Sequence, residues 1–253
     1  MPFTLAHPAA VLPLHPWCRR HLVWSALVIG SVIPDLEYFI RLQPRSAISH
    51  TFLGSFVFGI PAGIALLLLW RLALRPAVLS LLPPAQQRAL RPPEPLGPSR
   101  WPWVVVSLLL GAWLHLLVDG FTHGNGWAVE RVELLRAPLF GFEWPLYKLL
   151  QYGGSVLGLA LLLAAYLAWI RLLPVSPAPG PRRVLPRPAR LAALVTVALA
   201  PLAPAAWLGG NAAAERSGRA AVSVLATQFS IGYTTGLVVA LLALALVIRS
   251  LRK

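Results

Sequence analysis

The stretch WPWVVVSLLLGAWLHLLVDGFTHGNG, residues 101–126, decides the fold. Its first half has the apolar character of a helix crossing hydrocarbon, which takes roughly 20 such residues. Its second half carries His115, Asp119 and His123 at intervals of four. Side chains four apart stack on one face of a helix, so the three form a polar stripe on an apolar rod. An Asp at the centre of a membrane helix costs on the order of 2.5–3.5 kcal/mol on insertion scales. Something elsewhere in the chain has to offset that cost.

Composition frames the answer. The 253 residues are 57% hydrophobic and 12% charged, with a mean hydropathy of +0.70, whereas a soluble domain is nearer ~25% charged. The expected class is therefore all-α: a polytopic helical membrane bundle with about five long spanning helices and a short N-terminal helical hairpin. A net charge of +14 invites a nucleic-acid reading. The arginines, however, fall between apolar segments rather than along one face, which is the pattern of topology signals meeting anionic lipid headgroups. Membrane lipid is the expected partner, and nucleic acid is not. Cys18 is the single cysteine, which excludes a disulfide framework and a thiolate zinc site. The first basic residue is Arg19, so no basic segment precedes the first apolar stretch, which argues against a cleaved signal peptide.

Five stretches serve as spans: residues 51–70, 101–121, 149–170, 191–214 and 220–248. Residues 22–34 are apolar but short, and residues 1–18 hold Pro2, Pro8, Pro13 and Pro16 without a formal side-chain charge. These two pieces read as a hairpin or re-entrant pair turning at Cys18-Arg19-Arg20-His21, tolerated where protein buries the backbone. Orientation follows from Arg71, Arg75, Arg88, Arg91 and Arg100, then Arg171, Arg182, Arg183, Arg187 and Arg190, then Arg249, Arg252 and Lys253. Alternating spans put all three groups on one side, which the positive-inside rule makes cytoplasmic, together with the C-terminus. Both connectors, 71–100 and 171–190, are Pro-rich and read as extended linkers. The expected organisation is a membrane domain over 1–170 carrying the site, a Pro/Arg-rich cytoplasmic linker over 171–190, and two further spans over 191–253.

The rare polar groups gather on the opposite side. Of eight acids, Asp35 and Glu37 lie at the outer end of the second short helix. His50 lies at the outer start of the next span, and His115, Asp119 and His123 climb toward the outer end of theirs. A hairpin brings His7 back to the same depth. Imidazole with carboxylate is the ligand set of a divalent metal, zinc first, then manganese or iron. A helix rises ~12 Å from residue 115 to 123, so one ion takes His115 with Asp119, or Asp119 with His123. A two-metal site bridged by Asp119 also fits the spacing. Glu37 is the candidate general base for a metal-bound water. Lys148 and Gln151, one turn apart, are candidates for binding a substrate phosphate or polar headgroup; snorkelling of Lys148 is the plainer reading.

Two other readings of the polar set stay open. One is an ion path or transporter, although the inner halves of the spans are almost wholly apolar and no inverted repeat stands out. The other is a structural protein whose polar network fixes helix register. His15 and His21 flank the basic turn and read as headgroup contacts, and the ten tryptophans as interface belts and packing.

The segments MPFTLAHPAAVLPL, SALVIGSVIPDLEYF, SHTFLG, LGAWLHLLVDGFTHG and PLYKLLQYGGSVLG resemble an uncharacterised bacterial integral-membrane family, a domain of unknown function. That family is similar in pattern to inner-membrane proteins described as metal-dependent hydrolases. In those, an early His, a Pro-Asp-x-Asp-His segment, a Thr-His-Ser segment and a His-x-x-x-Asp helix recur in order. The matching positions are His7, Pro34-Asp35 with Glu37 as the second acid, His50, and His115 with Asp119. Tyr38 stands where the pattern has His, and Thr51 where it has Ser. The resemblance covers residues 1 to about 170. It implies a membrane-embedded metal-dependent hydrolase of the cell inner membrane. The depth of the site, near the outer face, suits a lipid-like or membrane-associated ester or phosphoester.

Overall fold

The computed structural model describes residues 3–19, 21–90, 95–139, 144–172 and 185–250. Among them no β-strand forms; a single bridge pairs Pro138 with Pro145. Five helices are long and apolar enough to cross a membrane, so the chain is an all-α, multi-pass membrane protein. In chain order the helices are α1 (Trp24–Gly30), α2 (Leu36–Arg41), α3 (Phe52–Leu81), α4 (Pro84–Ala89), α5 (Pro98–Thr122), α6 (Trp127–Arg131), α7 (Glu133–Arg136), α8 (Leu146–Arg171), α9 (Arg187–Ala213) and α10 (Gly218–Ser250). The spans are α3, α5, α8, α9 and α10. Most of the linker expected at 171–190 lies outside the described residues, as do Arg20, Arg91, Glu143, Arg252 and Lys253.

The expected N-terminal hairpin is present, but its first arm is a 3-10 helix over Thr4–Arg19. Such runs rarely exceed 3–4 residues. Here Pro8, Pro13 and Pro16 lie inside the helix; each removes an N–H donor, which a regular α-helix would need. Trp17 closes the turn by accepting at its carbonyl from His21 N (3.2 Å) and Leu22 N (3.4 Å). The second arm is α1, which packs back on the first.

The α3 span runs further than expected, into what the sequence suggested was linker: residues 71–81 are helical, with Ala77 fully buried. Two wide π turns make this possible, Ser55–Gly59 and Trp70–Leu74. Each ends two residues before a proline, Pro61 and Pro76. A proline ring collides with the carbonyl four residues back and has no N–H to offer it. A local i→i+5 register moves that carbonyl aside, so the helix continues through both prolines.

The chain divides into two compact units. The first comprises Met1–Leu36, Ser46–Leu67 and Pro95–Trp169, and so contains the 3-10 helix, α1, the start of α3, and α5 to α8. Its centre is the crossing of α1 on α5, lined by Ala26, Leu27, Val104, Leu108 and Ala112. The second comprises Glu37–Arg45, Leu68–Glu94 and Ile170–Lys253. There α9, interrupted at Ala200-Pro201, lies along α10, with Ala205 and Ile231 buried at the contact.

Candidate metal centre

The site is laid out by one face of α5. Ser107, Gly111, His115 and Asp119 recur every fourth residue, and all four are buried. Ser107 anchors the lower end: its Oγ accepts from Val23 N at 2.8 Å and donates to Trp103 O at 2.6 Å. Gly111 sets the distance between helices. A Cβ there would collide with the Leu27 carbonyl of α1, and one at Gly30 with the Leu108 carbonyl of α5. Paired small residues of this kind let membrane helices approach backbone to backbone. One turn above Gly111, that closeness brings the Ser31 carbonyl to 2.8 Å from His115 Nδ1. The imidazole donates there and its Nε2 keeps a free lone pair, the usual way a backbone carbonyl orients a metal-binding histidine.

Three further segments converge on His115 Nε2. Asp35 ends the short 3-10 turn that follows α1, with Oδ1 3.6 Å from that nitrogen. Its other oxygen accepts from Thr4 Oγ1 at 2.5 Å. His50 precedes α3, whose N-cap is Thr51, with Oγ1 accepting from Gly54 N at 2.8 Å. Thr caps a helix nearly as well as Ser, so the departure from the resembled pattern keeps the capping chemistry. Trp113 of α5 donates to Ser55 Oγ at 3.0 Å and stacks on Phe52, fixing the start of α3. His50 Nε2 then lies 3.3 Å from Asp35 Oδ1 and 3.5 Å from Asp119 Oδ2. Asp119 Oδ2 is itself 3.2 Å from His115 Nε2.

Asp35, His50, His115 and Asp119 thus each offer one ligand atom, all within 4.8 Å of one another. Two imidazole nitrogens and two carboxylate oxygens fit a divalent ion. Asp35 Oδ1 and His115 Nε2 are buried with no hydrogen-bond partner among the described residues. Two lone-pair-bearing atoms facing each other in a buried site repel unless a cation or a proton lies between them.

The remaining expected residues sit around this group. His7 is buried, stacks on the His115 ring at 3.9 Å between centroids, and places Nε2 3.3 Å from Asp119 Oδ1. Its Nδ1 faces the Thr4 carbonyl at 3.3 Å. His123 caps α5 and turns Nδ1 toward the Asp119 carbonyl (3.2 Å) and Asp119 Oδ1 (3.3 Å). Burial pushes His123 down to about 4 against the pull of Asp119, so it is neutral at pH 7. Burial also disfavours charge on His50, but the Asp119 and Asp35 carboxylates outweigh it and raise its pKa to about 9. Glu37 lies in the other unit and accepts from Arg41 Nε at 2.9 Å. Lys148 Nζ donates to Gln151 Oε1 at 3.0 Å, and Gln151 is buried. Two contributors were not foreseen from sequence, the Ser31 carbonyl and Thr4. Thr4 had a signal: it precedes His7 by three, and i,i+3 positions eclipse on a 3-10 helix.

Over residues 1–246 the chain matches the sequence profile of a family described as "Domain of unknown function (DUF4184)", and it belongs to that family. No curated protein and no solved structure matches it.

Proposed function

We propose that this protein is a metal-dependent hydrolase embedded in the inner membrane, acting on a lipid-like or membrane-associated ester or phosphoester. The observation that carries the reading is the convergence of Asp35, His50, His115 and Asp119 into a four-donor set whose ligand atoms all lie within 4.8 Å of one another. Two imidazoles and two carboxylates suit zinc, and manganese or iron next. An ion held there would polarise the scissile group and bring the pKa of a bound water toward ~7. The chain supplies the rest. Ser31 holds His115 in its ligating tautomer. Thr4 occupies the second oxygen of Asp35 and leaves the first free. His50, its side chain 19% exposed, forms the open edge through which substrate reaches the donors. His123 stands at the same end, its Nδ1 3.3 Å from Asp119 Oδ1. Lys148 with Gln151 is the candidate headgroup contact.

The arginine distribution supports an orientation with the C-terminus cytoplasmic and the metal centre toward the outer face. Elemental analysis of the purified protein tests the reading. The expected result is a bound transition metal in the wild type and none in the Asp35→Ala, Asp119→Ala double variant. A metal-free wild type, or equal occupancy in the variant, overturns it in favour of a buried polar network.

A further inference from the structure

An apolar groove of about 240 Å³ opens beside the metal centre, between the N-terminal 3-10 helix and α8. Ala6, Ala9 and Ala10 form one wall; Leu150, Gly154, Leu157, Gly158 and Leu161 form the other. Its polar contributors are His7 and Thr122. His7 belongs to both places: it walls the groove while its Nε2 meets Asp119. The groove therefore borders the metal centre, with the His7 ring between them.

Two glycines of α8 give the groove its form. A Cβ at Gly158 would press on the Ala6 carbonyl at 2.9 Å, so the 3-10 helix touches α8 there. A Cβ at Gly154, one turn away, would meet nothing within 4 Å. Contact at one turn and open space at the next leave a channel. Along α8 the lining runs from Leu150 to Leu161, a rise of about 16 Å. Half of a ~30 Å hydrocarbon layer is ~15 Å, the depth that one leaflet's acyl chain occupies. The α8 wall belongs to a spanning helix, so the fluid along it is hydrocarbon, and a dry apolar space at that depth fills with chain rather than water.

We infer that this groove holds one acyl chain of a glycerolipid, with the lipid's ester or phosphoester directed at the four-donor centre. The inference rests on the hydrolase reading above and narrows its substrate to a lipid bearing a free acyl chain.

The test uses full-length protein in phosphatidylglycerol vesicles doped with a phosphatidylglycerol carrying a diazirine in one acyl chain. After photolysis, labelled residues are mapped by mass spectrometry, and metal content is measured on the same sample. The expected result is label concentrated on Ala9, Ala10, Leu157 and Leu161, and lost in Gly154→Leu, with metal content unchanged. Ala10→Leu, from the opposite wall, should give the same loss, and guards against a folding defect in the first variant. Label spread evenly along the exposed faces of α8 and α10, untouched by either substitution, overturns the groove assignment. The metal content reports separately on the centre: groove labelling by a metal-free protein would sink the hydrolase reading and not the lipid site.

Discussion

Two spans of the first unit, α5 and α8, have the same peak mean hydropathy, 1.9, yet 44% of that window is buried in α5 and 6% in α8. Hydropathy alone does not separate them. What separates them is the register of small and polar residues. On α5, Ser107, Gly111, His115 and Asp119 form one stripe, and α1 closes on it with backbone-to-backbone contact. On α8 the small residues Gly153 and Gly154 leave space unfilled, and Val156, Leu157 and Leu163 face outward. In a bilayer, apolar surface has no reason to leave lipid; packing and polar satisfaction decide which helix is interior. The lesson is that α5 is held by its site as much as the site is held by α5.

That account can be broken where it is strongest. Asp119→Asn should abolish metal binding, because Asp119 faces His50 and His115 with one oxygen and His7 with the other. It should also lower thermal stability by roughly 3–5 kcal/mol, the usual cost of removing one partner from a buried charged pair. Metal analysis and a detergent melting curve measure both; retained metal would refute the role of α5. Gly111→Leu comes next. It forces the Leu27 carbonyl away, so His115 should lose its Ser31 acceptor, metal affinity should drop roughly 10–100-fold as for other lost orienting partners, and the melting curve should shift down. The same change at Gly154 on α8 should leave the metal in place.

A pH series sharpens the electrostatic side. His50 holds its proton up to about 9 in the metal-free site, and a metal must displace that proton to bind. Apparent affinity should therefore fall as pH drops below 9, with protons released as the ion binds. Metal titration by calorimetry in buffers of differing ionisation enthalpy reads the proton directly. The smallest effect is expected at Leu163→Ala on α8, a residue 57% exposed, where metal content should be unchanged and stability within about 0.5 kcal/mol. Glu37→Gln gives a matching control from the other unit: metal content stays, whereas Asp35→Asn, two residues earlier in sequence, loses it.

Much of this was readable in the residues. The four-residue spacing of His115 and Asp119 placed both on one face, and the scarcity of acids made Asp35 conspicuous. Helix counting came close, because spans are set by hydrocarbon thickness, a property of the solvent rather than of the fold. What could not be read was anything carried by backbone. The Ser31 carbonyl that orients His115 has no side-chain signature. The extension of α3 through Pro76 ran against proline's usual meaning, since π turns are local exceptions that no periodicity announces. The hairpin's first arm was legible as a hairpin but not as a 3-10 helix, because prolines exclude one helix without specifying another. His123 and His7 were anticipated, and their placement at the far oxygen of Asp119 needed the coordinates.

The contact between His7 and Asp119 joins residues 112 apart in sequence, and this has a consequence for synthesis. As the chain emerges, His7, Asp35 and His50 are made and inserted well before the helix that answers them. Until Asp119 enters the bilayer, Asp35 has imidazoles near it but no second carboxylate, and no complete donor set exists to capture an ion. On the proposed metal reading, loading would wait until α5 is in place, so the order of ribosomal delivery sets the earliest moment at which the four donors are all present.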